Sequence, residues 1–163
     1  MTQYRSVLKA SPSTGPTILD RLSTQVRGRL EQLARPASYP AGAVLLHEGA
    51  ATPFVAVVEA GRVALQVRVP ERGDRITTVT VEPGELLGWS GVVAPFRATM
   101  DAVAMEPTRL LALDAPALRD ALAADHELGT EFLPLVLESV SARLTASWTQ
   151  LLDLFGSREP RPW

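Results

Sequence analysis

The chain has 163 residues, 46% of them hydrophobic and 21% charged, which is the balance of one globular domain with a real core. Its net charge of −2 gives no reason to expect nucleic acid or an anionic membrane as a partner, and the absence of cysteine excludes a disulfide framework, thiolate chemistry and a cysteine metal site. No apolar run reaches bilayer length and the N-terminus lacks a signal-peptide core, so the expected location is the cytoplasm.

In chain order, residues 1–15 are polar and rich in Ser, Thr and Pro, and are expected to form a loose arm. A helical region opens at Pro16-Thr17, where Ile18, Leu22, Val26, Leu30 and Leu33 recur at spacings of four and three. Arg35-Pro36 should end it, because the residue before a proline avoids helical angles. From there the period becomes two. Stretches 44–47, 54–59, 62–69 and 75–81 read as strands rich in Val and Thr, divided by turn signals at Gly42, Gly49, Gly61 and Gly73-Asp74. Val63, Leu65 and Val67 alternate with Arg62, Gln66 and Arg68, which predicts one buried face and one wet one.

Residues 81–104 are the organising stretch. They read as a Glu82-Pro83-Gly84 turn, a short strand, a Gly-rich loop, and a strand opening with Phe96 and Arg97. Gly88, Ser90 and Gly91 crowd together where a tight curl can aim several N–H groups at one point, and such a nest with Arg97 nearby can hold an anion. The competing reading is a surface loop that uses glycine for its turns. Strands follow at 98–105 and 108–113, and short strands this closely spaced indicate a small antiparallel sandwich or roll.

Asp114 is placed as an N-cap, with Leu118 and Leu122 marking the core side of a short helix. A long helix is expected over 127–155, with Pro134 either bending it or marking its start. Leu137, Leu144 and Leu151 repeat every seven residues with Val140, Ser147 and Leu154 between them, an a/d seam that predicts a homodimer. Phe132, Val136, Trp148, Leu152 and Phe155 give a second apolar face. The tail, 156–163, is too short to fold.

Enzyme templates fail. The two histidines, His47 and His126, are far apart and cannot make a jelly-roll metal site, and there is no G-x-S-x-G elbow or G-x-x-x-x-G-K loop. No further cofactor is implied. Between His126 and Phe155 the only basic residue is Arg143, which argues against a DNA-reading helix.

Taken together, Y-P-A-G-A-V-L-L-H-E-G-A (39–50), F-V-A-V-V-E-A-G-R-V-A-L (54–65), P-G-E-L-L-G-W (83–89), A-T-M-D-A (98–102) and R-L-T-A-S-W (143–148) resemble a stand-alone cyclic nucleotide-binding domain of the Crp–Fnr type over 16–155. The resemblance implies a mainly β fold: an antiparallel β-roll or jelly roll with N-terminal helices and a long C-terminal dimerisation helix. It also implies a phosphate-binding cassette, in which this chain departs from the family pattern. Trp89 stands where the family has a glutamate for the ribose. Aligning on Ala98-Thr99 puts Phe96 at the phosphate-clasping arginine and Arg97 at the following Ser/Thr, unless a one-residue bulge returns Arg97 to the pocket. Ser147 and Trp148 fall where the family contacts the base. Losing two charge-assisted hydrogen bonds of about 1.5–3 kcal/mol each removes roughly two to four decades of affinity.

Two functions follow as expectations. One is a non-enzymatic sensor that binds a nucleotide-type or phosphorylated ligand through Gly88, Trp89, Ser90, Gly91, Phe96, Arg97, Ala98, Ser147 and Trp148. The other is a ligand-free dimeric scaffold for a protein partner, its pocket filled by Trp89 and Phe96.

Overall fold

A computed structural model describes residues 16–69 and 73–156, with the side chains of all but 154–156. The expected arm 1–15, the tail beyond residue 156 and the side chains of Leu154 and Phe155 lie outside the described residues.

The first helical region is two pieces rather than one. A 3-10 turn, Ile18–Arg21, is followed by helix α1, Thr24–Leu33. The break falls at Ser23, whose hydroxyl accepts from the Val26 N–H at 3.3 Å as an N-cap. The Ser23 N–H in turn donates to Glu131 at 2.7 Å. Leu19, Leu22, Val26 and Leu30 still share one buried face.

Among the described residues eight strands follow, in two four-stranded antiparallel sheets. They are β1 (Ala34–Tyr39), β2 (Val44–Leu46), β3 (Phe54–Ala60), β4 (Val63–Arg68), β5 (Arg75–Val81), β6 (Leu86–Leu87), β7 (Asp101–Ala104) and β8 (Thr108–Asp114). One sheet has the order β1-β8-β3-β6 and the other β2-β7-β4-β5. Strand β1 is an addition to the sequence reading. It carries Pro36, which a sheet tolerates because β1 is an edge strand, paired only with β8. Strand β7 starts three residues later than expected: 98–100 belong to the incoming loop.

Strand β3 shows why the roll is a scaffold. Val55 and Val57 face the helices, whereas Ala56 and Val58 face the second sheet. Both faces are covered, so F-V-A-V-V reads as a continuous apolar run. The inter-sheet core joins Ala56, Val58 and Leu110 to Leu46, Val63, Leu65, Val81 and Ala102.

Helix α2 (Ala115–Ala124) starts at Asp114, whose carboxylate accepts from the Ala117 N–H at 3.0 Å, the expected cap. Helix α3 runs His126–Gly156 with Pro134 inside it. Leu128, Phe132, Leu135 and Val136 bury its first turns against β3, β6, α1 and α2. Beyond them the helix leaves the core, and Leu137, Leu144, Trp148 and Leu151 are 68%, 58%, 59% and 49% exposed. The two apolar faces therefore divide along the helix: Phe132 and Val136 are core, while Trp148 and Leu152 lie on the outer surface.

Candidate functional site: the cassette and the long helix

The cassette begins at a turn. Gly84 donates to the Val58 carbonyl at 2.7 Å, and the Glu82 N–H donates to the Glu85 carboxylate at 2.9 Å. Strand β6 then pairs with Ala56 and Val57 of β3. At Gly88 the chain turns with φ +77°, and a Cβ there would meet the Phe54 carbonyl oxygen at 2.6 Å. Glycine is required on both counts. A 3-10 turn, Trp89–Gly91, comes next, closed by the Gly91 N–H on the Gly88 carbonyl at 2.8 Å. That bond spends one of the expected nest donors. The Ser90 hydroxyl is also committed, 2.8 Å from the Thr52 hydroxyl in a buried pair.

The far end of the cassette decides where its arginine goes. Phe96 has φ +62° after a cis Ala94-Pro95 bond, and its backbone is held between Val93 and Thr52. The ring lies under the Arg119 guanidinium of α2, 4.3 Å from its centroid, and does not line the cavity. Arg97 forms an isolated bridge with Ala51, and its Nη1 donates to the Gly49 carbonyl at 2.7 Å. The guanidinium is thus exposed and away from the pocket. The bulge that would return it does not form.

Between the cassette and α3 lies a cavity of about 210 Å³. Gly88, Trp89, Ser90, Ala98, Thr99 and Met100 line it from the loop and Leu46, Leu65 and Leu87 from the strands. Val140, Arg143, Leu144 and Ser147 close it from the helix. Of the residues expected from the sequence, Gly88, Trp89, Ser90, Ala98 and Ser147 meet there. Gly91, Phe96, Arg97 and Trp148 are not in the lining. Trp89 is half-buried, packed against the helix-side core as well as bordering the cavity.

Arg143 is the residue the sequence reading missed as a site group. Its Nη2 donates to the Leu86 carbonyl of β6. Burial pushes its guanidinium down to about 10, opposed by the charge of Glu85. It also borders a second groove of about 730 Å³, shared with Thr17, Asp20, Arg21, Thr80, Glu85 and Glu138. The signal for it is present in the chain: Arg143 lies four residues before Ser147, one helical turn away on the same face.

Among the described residues no group of three His, Asp or Glu side chains is placed to hold a metal ion, and no helix is long and apolar enough to cross a membrane.

Two four-stranded sheets rolled together, a Gly-turned loop between β6 and β7 and a helix laid across that loop define a β-roll of the cyclic nucleotide-binding kind. The chain belongs to the cyclic nucleotide-binding domain family, whose model matches residues 36–125. A cyclic nucleotide-binding domain from Methylobacillus flagellatus is similar at 22% identity and TM-score 0.75, covering 89% of this chain and 83% of that one. The N-terminal domain of a transcriptional regulator from Streptomyces coelicolor is 26% identical with TM-score 0.61, covering 83% and 91%. The catabolite activator protein of Thermus thermophilus is 25% identical with TM-score 0.61, covering 85% of this chain and 62% of that one. No curated protein matches the sequence.

Proposed function

We propose that the chain is a non-enzymatic sensor module that binds a small nucleotide-type or phosphorylated ligand in the cavity between cassette and α3, and that it works as a homodimer through α3. The observation that carries this is the two-sided cavity: Leu87, Gly88 and Ala98 on the roll, Val140, Arg143 and Ser147 on the helix. A ligand held there touches both elements at once. It therefore favours one helix position over another by its differential contacts, which is what a sensor needs.

The dimer reading rests on the helix surface. Leu137, Leu144 and Leu151 repeat at seven residues and are about half to two-thirds exposed, so the seam is uncovered within one chain. A second copy carries the same seam and can cover it. Leu144 borders the cavity and also lies on the seam, so ligand and dimer share a side chain.

The alternative is a ligand-free scaffold in which Trp89 and Phe96 occupy the pocket. The open cavity beside Trp89 favours the sensor. A thermal-shift screen with cAMP, cGMP, cyclic dinucleotides and phosphorylated metabolites separates the two. A ligand at one hundred times its Kd adds about 2.7 kcal/mol, roughly 5–10 °C for a chain of this size. If no compound moves the melt at millimolar concentration, the scaffold reading replaces the sensor.

A further inference from the structure

We propose that the charge anchor of this site is Arg143 on α3 rather than any group of the cassette, and that the cavity takes a compact organic monoanion, a carboxylate or a phosphodiester, with its charged end toward the helix. The inference rests on the sensor reading above and gives it a ligand class.

Among the described residues the cassette brings no charged side chain to the cavity. Arg97 does not line the cavity and donates to the Gly49 carbonyl on the outside of the loop, the Gly91 N–H is bonded to the Gly88 carbonyl, and the Ser90 hydroxyl to Thr52. Among the described residues that line the cavity, Arg143 is the one that carries a charge. Of the described groups, only the Leu86 carbonyl accepts from its side chain, and no carboxylate pairs with it. A guanidinium carries five N–H donors, so donors remain for a ligand. Burial disfavours the charge and the charge of Glu85 offsets this only in part, so a negative partner in the cavity would relieve a cost that remains.

The walls specify the rest. One cation balances one negative charge, so a doubly ionised phosphate would keep an uncompensated charge in an apolar site. Among the described residues no carboxylate lines the cavity, so a ligand rich in hydroxyl donors would find few acceptors. Leu46, Leu65, Leu87 and Met100 suit an apolar body. The volume of about 210 Å³ is below the roughly 300–1,000 Å³ of common small-molecule sites, which favours a compact one.

The test uses the full chain and calorimetric titration with hexanoate, benzoate and cAMP, each beside an uncharged counterpart (hexanamide, benzamide, adenosine), and with AMP as a dianion. The expected result is that at least one monoanion binds and its uncharged counterpart binds at least about tenfold more weakly. Arg143→Gln weakens that monoanion by about 10- to 100-fold, Arg143→Lys restores part of the loss, and Arg97→Gln stays within about threefold. An uncharged counterpart that binds as well, an AMP affinity above that of every monoanion, or a loss that follows Arg97 instead of Arg143 overturns the anchor and leaves the sensor standing. If no probe binds the wild-type chain while a compound of the thermal-shift screen that is not a monoanion does, the monoanion class falls alone, whereas a shift by cGMP counts for it. If nothing binds in either experiment, the sensor falls with it. Should Arg143→Gln not fold, Arg143→Met takes its place in the same titrations.

Discussion

Arg119 of α2 donates its Nη1 to the carbonyl of Gly91 at 2.8 Å, while the same guanidinium lies 4.3 Å from the centroid of the Phe96 ring. One side chain therefore fastens both the 3-10 turn of the cassette and its far end to the helix that precedes α3. A charge-assisted hydrogen bond and a cation–π contact together make this a local clamp of about 1–3 kcal/mol. In Arg119→Ala, amide hydrogen exchange across 89–98 should speed up by tenfold or more while strands β3 and β8 keep their protection. Uniform acceleration over the whole chain would mean that Arg119 supports the fold and not the loop.

Gly88 is the hinge of the same loop. Alanine there must adopt φ +77° and place its Cβ 2.6 Å from the Phe54 carbonyl oxygen, which belongs to β3 and cannot move aside. Left-handed backbone for a residue with a Cβ costs about 1–2 kcal/mol, and the clash adds to it. Gly88→Ala should lower stability by about 2 kcal/mol or more in urea denaturation. A loss below about 0.5 kcal/mol would show that the turn relaxes without β3.

The strands were legible because their chemistry is local. Alternating Val63 and Leu65, the Gly turns, and the Asp114 cap each follow from a few adjacent residues, and β3 is apolar throughout because both its faces are buried. Strand β1 was hidden because Pro36 forbids an inner strand, and only the edge position beside β8 makes it acceptable. The direction of Arg97 stays open in the sequence, between the two-residue period that turns it away and a bulge that would return it. It depends on φ +62° at Phe96 and on the bridge to Ala51, neither of which leaves a mark in the residues themselves. Arg143 could have been found: a single cation on an otherwise non-basic helix, one turn from Ser147, is unusual enough to ask what it faces.

The seam on α3 makes its own demand. Leu137 and Leu151 are 68% and 49% exposed and neither lines the cavity, so glutamate at both positions leaves the core of one chain alone. Sedimentation at micromolar concentration should find the wild type dimeric and Leu137→Glu/Leu151→Glu monomeric, each with the same circular dichroism spectrum. A double variant that sediments with the wild-type mass would remove α3 as the interface.

Asp125, between α2 and α3, links their packing to pH. The Leu128 N–H, 3.1 Å from its carboxylate, holds the group below the usual carboxylate range, and Arg29 at 2.6 Å adds to the effect. A depressed folded pKa means the unfolded chain binds more protons on acidification. The contribution is complete above the ordinary range near pH 4, and it is lost as pH falls through the lower folded value. Melting curves of wild type and Asp125→Asn should differ most between pH 5 and 7 and converge towards about pH 2. A gap that stays constant over that range would assign the difference to packing.

Arg143 sets stability against binding. Its guanidinium is pushed down to about 10 by burial, so the folded chain holds this charge less readily than the unfolded chain does. Below that pH the charged side chain is a burden on the ligand-free fold, relieved only as pH rises towards the unfolded value. Replacing a buried charge by an apolar side chain of similar volume is often neutral or stabilising, by about 1–4 kcal/mol. Against this, methionine would leave the Leu86 carbonyl without its Arg143 donor, a loss of about 1 kcal/mol. Arg143→Met should therefore melt at or above the wild-type temperature without ligand, and lose the stabilisation that a bound monoanion gives the wild type. A residue retained at a cost to the free fold is explained by what it binds. If instead Arg143→Met destabilises the ligand-free chain by more than about 2 kcal/mol, Arg143 is a structural tie between α3 and β6.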